Sequence, residues 1–461
     1  MYCYPTYYLE PSKYIAQLEA PILVKVTFYG GVGEIGGNKF LVEDKDTKIL
    51  LDFGMNFSER SRFYSEPWLS PRDERGLLEF GLLPNIQGAY KFEDKPAEID
   101  AVILSHSHTD HSSYISFLNR EIPVYCGETT ATILQTFADI TPKSFDNDLE
   151  GLRFVTFRTG DKFKIGSVEI EPIHVDHSVP GCYGVILHTS DGAIVYTGDF
   201  RIHGTKPQMT HEFVAVAKAV KPVAMLCEGT NLIGADFSTE REVKDKVGKV
   251  VSSSQNLVLA TFRNTDVDRT RTLYEVAKEN HRKLAVSMRQ AYMLNKLKAD
   301  KNLDLPAIDS SDFLIFRREK KHYYKWEQSI LDLPNVIDAH EVRRRQDDVI
   351  LATAFSDLKE LLDLRPAAGS SFILSSSEPF NEEMEIEYDK FVNWLDHFGL
   401  PMYHIHCSGH IMPTEIKQVI REVSPKRLFP IHTEHPELFG KFVSDLTKVT
   451  LPQKQKALPI A

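Results

Sequence analysis

Thiols are scarce in this chain. Its five cysteines, Cys3, Cys126, Cys182, Cys227 and Cys407, show neither C-x-x-C spacing nor an even-numbered framework. That pattern excludes a disulfide scaffold and a thiolate zinc cluster, and it suits a reducing compartment. No apolar run approaches the ~20 residues needed to cross a bilayer. The opening Met1-Tyr2-Cys3-Tyr4-Pro5 lacks a basic stretch leading into an apolar one, so the expected location is the cytoplasm and no membrane is expected as a partner. There is no internal repeat and no low-complexity segment. Positive charge is also in deficit, with 54 Lys and Arg against 65 Asp and Glu, a net charge of −11. Any affinity for a polyanion must then come from local basic surface rather than from the chain as a whole. At 461 residues, two or three domains are expected.

Histidine is present in modest number, 17 residues, yet three fall within six positions of one another in Ser105-His106-Ser107-His108-Thr109-Asp110-His111. This segment directly follows the apolar run Ala101-Val102-Ile103-Leu104, a strand that would deliver the loop to a sheet edge. Alternate residues of an extended loop face the same way, so His106 and His108 can share one cation, while Asp110 and His111 point elsewhere. Two diverging pairs suit two neighbouring cations, an arrangement used for hydrolysis. Imidazoles and carboxylates without thiolates favour zinc, and ligand type leaves manganese and iron open. A cluster of solvated or helix-capping residues would not require further donors. The chain offers several.

Ile194-Val195-Tyr196-Thr197-Gly198-Asp199 and Leu428-Phe429-Pro430-Ile431-His432 repeat the layout of apolar strand followed by donor. Ile173-His174-Val175-Asp176-His177 runs into a turn containing Pro180 and Gly181, which would hold His177 outward. Glu228 likewise ends an apolar run, Val223-Ala224-Met225-Leu226-Cys227, and can orient and charge an imidazole. Asp52, after Ile49-Leu50-Leu51, is placed to accept an imidazole N–H and fix a ligand's tautomer. The glycine pattern Gly31-Val32-Gly33-Glu34-Ile35-Gly36 imitates a dinucleotide loop, but Asn38-Lys39-Phe40-Leu41-Val42-Glu43 then alternates as a strand where that loop needs a helix. These glycines are expected to let backbone pass close to the site.

Taken with His410 in His406-Cys407-Ser408-Gly409-His410 and the closing Pro430-Ile431-His432-Thr433-Glu434-His435, these motifs resemble the β-CASP nucleases of the metallo-β-lactamase superfamily. Within them the chain is similar to the ribonuclease J family, most nearly its shorter archaeal form, over residues 25–440. The resemblance implies an α/β fold, a metallo-β-lactamase αββα sandwich with an inserted α/β β-CASP domain. It implies that His106, His108 and His177 hold one zinc, that Asp110, His111 and His432 hold a second, and that Asp199 bridges them. Two Zn2+ per chain are expected, with Mn2+ as the alternative. Asp110, Glu228 and His410 would be catalytic, with Glu228 supporting His410. Arg263, Asn264, Ser377, Ser408, Gly409 and His410 would contact RNA.

The implied activity is hydrolysis of single-stranded RNA, 5′→3′ from the end, in RNA decay and processing, with a homodimer as one possible assembly. An endonuclease of the RNA 3′-end-processing kind, a DNA nuclease and a non-catalytic RNA-binding protein are the rivals. A small thioester or lactone hydrolase on the same core would need neither the insertion nor Glu228 and His410.

Along the chain, short β-branched runs dominate residues 21–230, and the first part of the metallo-β-lactamase domain is expected over residues 1–230. Residues 56–98 read as an irregular loop able to line a substrate channel. Alternating strand and helix across 231–378 imply a parallel sheet with its own core, the inserted domain. Residues 379–461 return to the first domain. Two basic segments, 316–326 with interleaved aromatics and Arg343-Arg344-Arg345, are candidate nucleic-acid patches or simply solvated faces.

Overall fold

The computed structural model describes residues 24–460 apart from 67, 235–237 and 377–381. Ser377, an expected RNA contact, lies outside the described residues. Two seven-stranded sheets pack face to face. In the first, the strands run in the order Ala457–Pro459, Lys25–Gly30, Lys39–Asp44, Thr47–Leu51, Ala101–Ile103, Val124–Gly127 and Phe154–Phe157. In the second, the order is Lys448–Val449, Arg427–Ile431, Ala224–Glu228, Gly192–Tyr196, Tyr183–Thr189, Val168–His174 and Phe163–Ile165.

Period-two alternation decides which side chains meet between the sheets. Phe28, Phe40, Ile49, Leu51 and Ile103 face Ile170, Val185, Leu187, Ile194, Leu226 and Phe429 in one buried cluster. Phe28 sits 5.7 Å from Phe40 and 5.6 Å from Phe429, ring centre to ring centre. Each such side chain contributes about 1.5–3 kcal/mol by leaving water. The opposite residues of the same strands carry helices: Leu50 and Val102 pack with Tyr114 and Leu134, and Ile186, Val195 and Met225 pack with Phe213 and Ile420. The result is an αββα sandwich.

The third sheet is wholly parallel. Its order is Val336–Ile337, Phe313–Phe316, Lys283–Ser287, Val349–Thr353, Val258–Thr261, Ser371–Leu374 and Met402–His404. Both faces are covered, so the strands are continuously apolar: Val258, Leu284 and Ile350 look to one core, and Leu257, Leu259 and Leu351 to the other. Thr239 and Glu242 form a capping box on the helix Glu240–Ser253, which opens this unit. The strands Ala224–Glu228 and Arg427–Ile431 are neighbours in the second sheet, paired Leu226 to Phe429, although the entire third sheet lies between them in sequence. Its last strand, Met402–His404, falls beyond the boundary drawn at residue 378.

Residues 56–98 are more ordered than their composition suggests. Leu77, Leu83, Ile86 and Tyr90 are buried against the outer face of the first sheet, and Tyr90 donates its hydroxyl proton to the Pro84 carbonyl. Spaced among Arg, Pro and Gly, these apolar residues show no helical or strand period, and so read as a loop. Among the described residues, no helix is long and apolar enough to cross a membrane.

Candidate metal centre

Five strand ends meet at one edge of the sandwich. Ala101–Ile103 leads to residues 105–108 and to the short helix Thr109–Ser112, which carries Asp110 and His111. Val168–His174 leads to His177, Gly192–Tyr196 to Asp199, Ala224–Glu228 ends on Glu228, and Arg427–Ile431 leads to His432. Register places Tyr196 beside Leu226 and Glu228 beside Ile431, so the last three deliver their donors side by side.

Among the described residues the donor atoms form three groups: His106, His108, His177 and Asp199 in one, Asp110, His111 and His432 in another, and Asp199, His410 and His432 in a third that shares members with both. His108 Nδ1 lies 3.0 Å from His106 Nε2 and 3.1 Å from His177 Nε2. Asp110 Oδ2 is 3.1 Å from His432 Nε2 and 3.7 Å from His111 Nε2. Asp199 Oδ2 stands between the first two groups, 3.6 Å from His106, 3.9 Å from His177, 3.1 Å from His111 and 3.9 Å from His432.

The outward-facing nitrogens are tied back, which fixes where the lone pairs point. His177 Nδ1–H donates to the Gly409 carbonyl at 2.6 Å and His111 Nδ1–H to Asp52 Oδ2 at 2.7 Å. His106 Nδ1–H donates to Ser105 Oγ at 3.0 Å, and His432 Nδ1–H to Thr230 Oγ1 at 2.7 Å. With Nδ1 engaged in this way, the Nε2 atoms of His106, His111, His177 and His432 face a shared space.

Asp52 is the hub of this outer layer. It accepts from Ser105 N–H and Ser105 Oγ–H, each at 2.7 Å, and from the Tyr196 hydroxyl. Asp52 and His432 both hold left-handed backbone, φ 55° and 50°, a conformation that packing must enforce at non-glycine residues.

These residues fit divalent cations. Burial pushes the imidazoles of His106, His108 and His177 well below their ordinary pKa, and repulsion from neighbouring imidazoles adds to it. Their nitrogens nonetheless converge within 3.1 Å, where a single N–H on His108 is all that the lone pairs of His106 and His177 could share. His108 Nε2 and Asp199 Oδ1 are buried without a partner. Burial opposes ionisation of Asp199, but His111, His432 and His410 outweigh it and hold the carboxyl well below its usual range. Converging lone pairs around an ionised carboxylate form a set that a cation satisfies and protons do not.

His410 reaches the same edge from the loop before the helix Pro413–Val423. Its Nδ1 is 3.2 Å from Glu228 Oε1 and 3.8 Å from Asp199 Oδ2. Ser408 Oγ accepts from Asn231 Nδ2 at 3.0 Å and from His410 N–H at 3.2 Å, and the Ser408 carbonyl accepts from Arg201 and His203. Gly409 packs on His177, where an added Cβ would meet Ser178 Oγ at 2.8 Å. Arg263 and Asn264 follow the strand Val258–Thr261; Arg263 is exposed, and its charge reaches His108.

Ser105, Tyr196, Thr230, Asn231, Asn38 and Arg201 carry much of this positioning, and spacing did not single them out. Serine, threonine and tyrosine occur everywhere in strands and loops. For Asn38 the one available signal was its place after the glycine-rich loop, whose backbone runs along the donors. Asn38 N–H donates to the Asp110 carbonyl, Asn38 Nδ2 lies 3.0 Å from His111 Nε2, and His432 N–H donates to the Gly31 carbonyl. Gly54 is needed for the same close approach, since a Cβ there would lie 1.9 Å from the Asp110 carbonyl.

Residues 79–225 match the family model described as a beta-lactamase superfamily domain. Sandwich, strand-end donors and this match together give the chain a metallo-β-lactamase fold. Ribonuclease J of Mycoplasma pneumoniae is 24% identical over 439 residues, covering 92% of this chain and 70% of that protein. Ribonuclease J of Thermus thermophilus is 24% identical over 436 residues, covering 89% and 68%. A crystal structure from Enterococcus faecalis, titled as a protein of unknown function, shares the fold with a TM-score of 0.76 at 22% identity, over 95% of this chain and 99% of that one. Within the superfamily, the relatives that this chain resembles along most of its length are named ribonuclease J.

Proposed function

We propose that this protein is a two-zinc ribonuclease that degrades single-stranded RNA from its 5′ end. The carrying observation is the position of Asp199 Oδ2 within 3.9 Å of imidazoles from the first two donor groups, with the His410–Glu228 pair alongside. His106, His108 and His177 would hold one cation, Asp110, His111 and His432 the other, with Asp199 between them. Manganese is the alternative metal. Bound there, such a pair supplies Lewis acidity toward a phosphodiester and activates water at neutral pH.

The chain's own groups do the rest. Burial opposes charge on His410, but Glu228 and Asp199 outweigh it and raise the imidazole to about 9. His410 directs Nδ1 to Glu228, which leaves Nε2 on the far side of the ring, where a proton it carries can be given to a leaving 3′ oxygen. The exposed guanidinium of Arg263 offers a phosphate contact. Asn264 adds an amide to the same loop. Ser408 and Gly409 fix His410 and His177 and border the cleft. The names of the relatives support RNA as substrate.

The test is digestion of end-labelled RNA bearing a 5′-monophosphate, a 5′-triphosphate or no end at all. Mononucleotides should appear from the monophosphorylated strand from the earliest times, circles should persist, and chelation should stop the reaction until zinc is returned. Internal fragments and cleaved circles would instead establish an endonuclease. Equal digestion of DNA would remove RNA as the specific substrate.

A further inference from the structure

The third sheet has a crevice that the metal centre does not use. Strands Lys283–Ser287 and Val349–Thr353 are parallel neighbours. After Ser287 the chain enters the helix Met288–Leu297, whose Met288, Ala291 and Leu294 pack on one face of the sheet. After Thr353 it enters the turn of helix Phe355–Glu360, and Leu358 and Leu361 pack on the opposite face. Connections that leave adjacent strands toward opposite faces open a gap at the carboxyl ends, the place where open parallel sheets bind ligands. Here the gap is a cavity of about 340 Å³.

Its lining has two chemistries. Arg289, Arg318 and Lys320 supply three cations against two carboxylates, Glu327 and Asp357. Asp357 engages Arg318 at 2.8 Å, and Glu327 engages Lys320. Arg289 is exposed and makes no ion pair among the described residues, so one positive charge is left over in a chain that is otherwise acidic. Beside it stands the ring of Tyr324, 61% exposed, with Lys320 Nζ 5.7 Å from its centre. Trp326 forms the wall behind, against Tyr292 at 5.6 Å.

The crevice is walled on one side by the loop that follows the strand Val258–Thr261. Phe262 and Asn264 line it, while Arg263 between them acts on His108.

We infer that this crevice holds one nucleotide of the RNA strand away from the scissile bond, its base stacked on Tyr324 and its phosphate against Arg289. A ring open to stacking and an unpaired guanidinium are the two elements that sequence-tolerant binding of single strands requires, and the volume suits one nucleotide. This rests on the ribonuclease reading and adds to it a binding position separate from the donors. A free mononucleotide has the same chemistry, and the experiment separates the two sources.

The full chain carrying His108→Ala, which removes hydrolysis, is titrated calorimetrically with a 5′-phosphorylated RNA decamer, an RNA dinucleotide and AMP. The titrations are repeated with Arg289→Ala or Tyr324→Ala added. Decamer affinity should fall about tenfold in each added variant, the scale of one stacked base, with dinucleotide affinity unchanged. AMP binding lost in both variants, alongside that fall, supports the crevice and extends it to free nucleotide. Unchanged decamer affinity in both, in a protein whose unaltered form digests RNA, overturns the crevice and leaves the nuclease standing. A chain that neither binds nor digests RNA overturns both.

Discussion

Replacing His108 by alanine is expected to abolish RNA hydrolysis, by a factor on the order of a thousand or more, and to leave the fold in place. His108 Nδ1 is the point at which His106 and His177 converge, at 3.0 and 3.1 Å. Without it, the first donor group loses its middle member, and about 4 kcal/mol of transition-state stabilisation is a modest allowance for a disrupted cation site. The fold should survive because the structural duty of this residue belongs to its backbone: the His108 carbonyl accepts from His111 N–H and Ser112 N–H, each at 3.0 Å. Alanine keeps both bonds. The check is initial rate on end-labelled RNA in zinc-controlled buffer, with circular dichroism as the control for folding. Activity within tenfold of the unaltered chain would remove His108 from the centre.

The second large effect concerns stability. Arg201 is fully buried where the sandwich meets the third-sheet unit, and it holds three carboxylates: Asp176 at 3.3 Å, Glu240 at 3.0 Å and Asp268 at 3.1 Å. Arg269, also buried, shares Glu240 at 3.1 Å. Burial works against the Arg201 charge, but Asp176, Glu240 and Asp268 outweigh it and raise the pKa further. Such a cluster adds little net stability over well-packed apolar residues, yet removing one member strands its partners as uncompensated buried charges.

Arg201→Ala should therefore destabilise the protein by about 3–5 kcal/mol, read as a lower urea midpoint for the first unfolding transition. It should also lower RNA hydrolysis, because Arg201 Nη1–H donates to the Ser408 carbonyl at 3.3 Å and so helps place the loop that carries His410. A change in stability below 1 kcal/mol would mean that the partners find water or one another.

What could be read from the sequence divides along a physical line. Apolar runs that end on His, Asp or Glu were legible because burial forces strands to be apolar, so a polar residue at the end of such a run marks the sheet edge where these side chains converge. His106, Asp199, Glu228 and His432 all stand out in this way. The parallel third sheet was legible for the same reason, its strands being apolar on both faces. Arg201 was not legible, since an arginine after Asp199-Phe200 reads as surface until its three partners, scattered from residue 176 to 268, fold around it. Residues 56–98 hid their burial in aperiodic spacing.

The two basic segments parted company only in three dimensions. Arg318 and Lys320 line a cavity, whereas Arg343 and Arg344 are exposed in the last turn of the helix Ala339–Arg344 and Arg345 pairs with Asp348. Long-range pairing is what a linear pattern does not contain.

The dinuclear centre is tested most directly by anomalous diffraction at the zinc edge from zinc-loaded crystals of the full chain. Two peaks are predicted, one enclosed by His106, His108 and His177 and one by Asp110, His111 and His432, with the Asp199 carboxylate reaching both. A single peak at full loading, or zinc bound elsewhere with these side chains unligated, would contradict it.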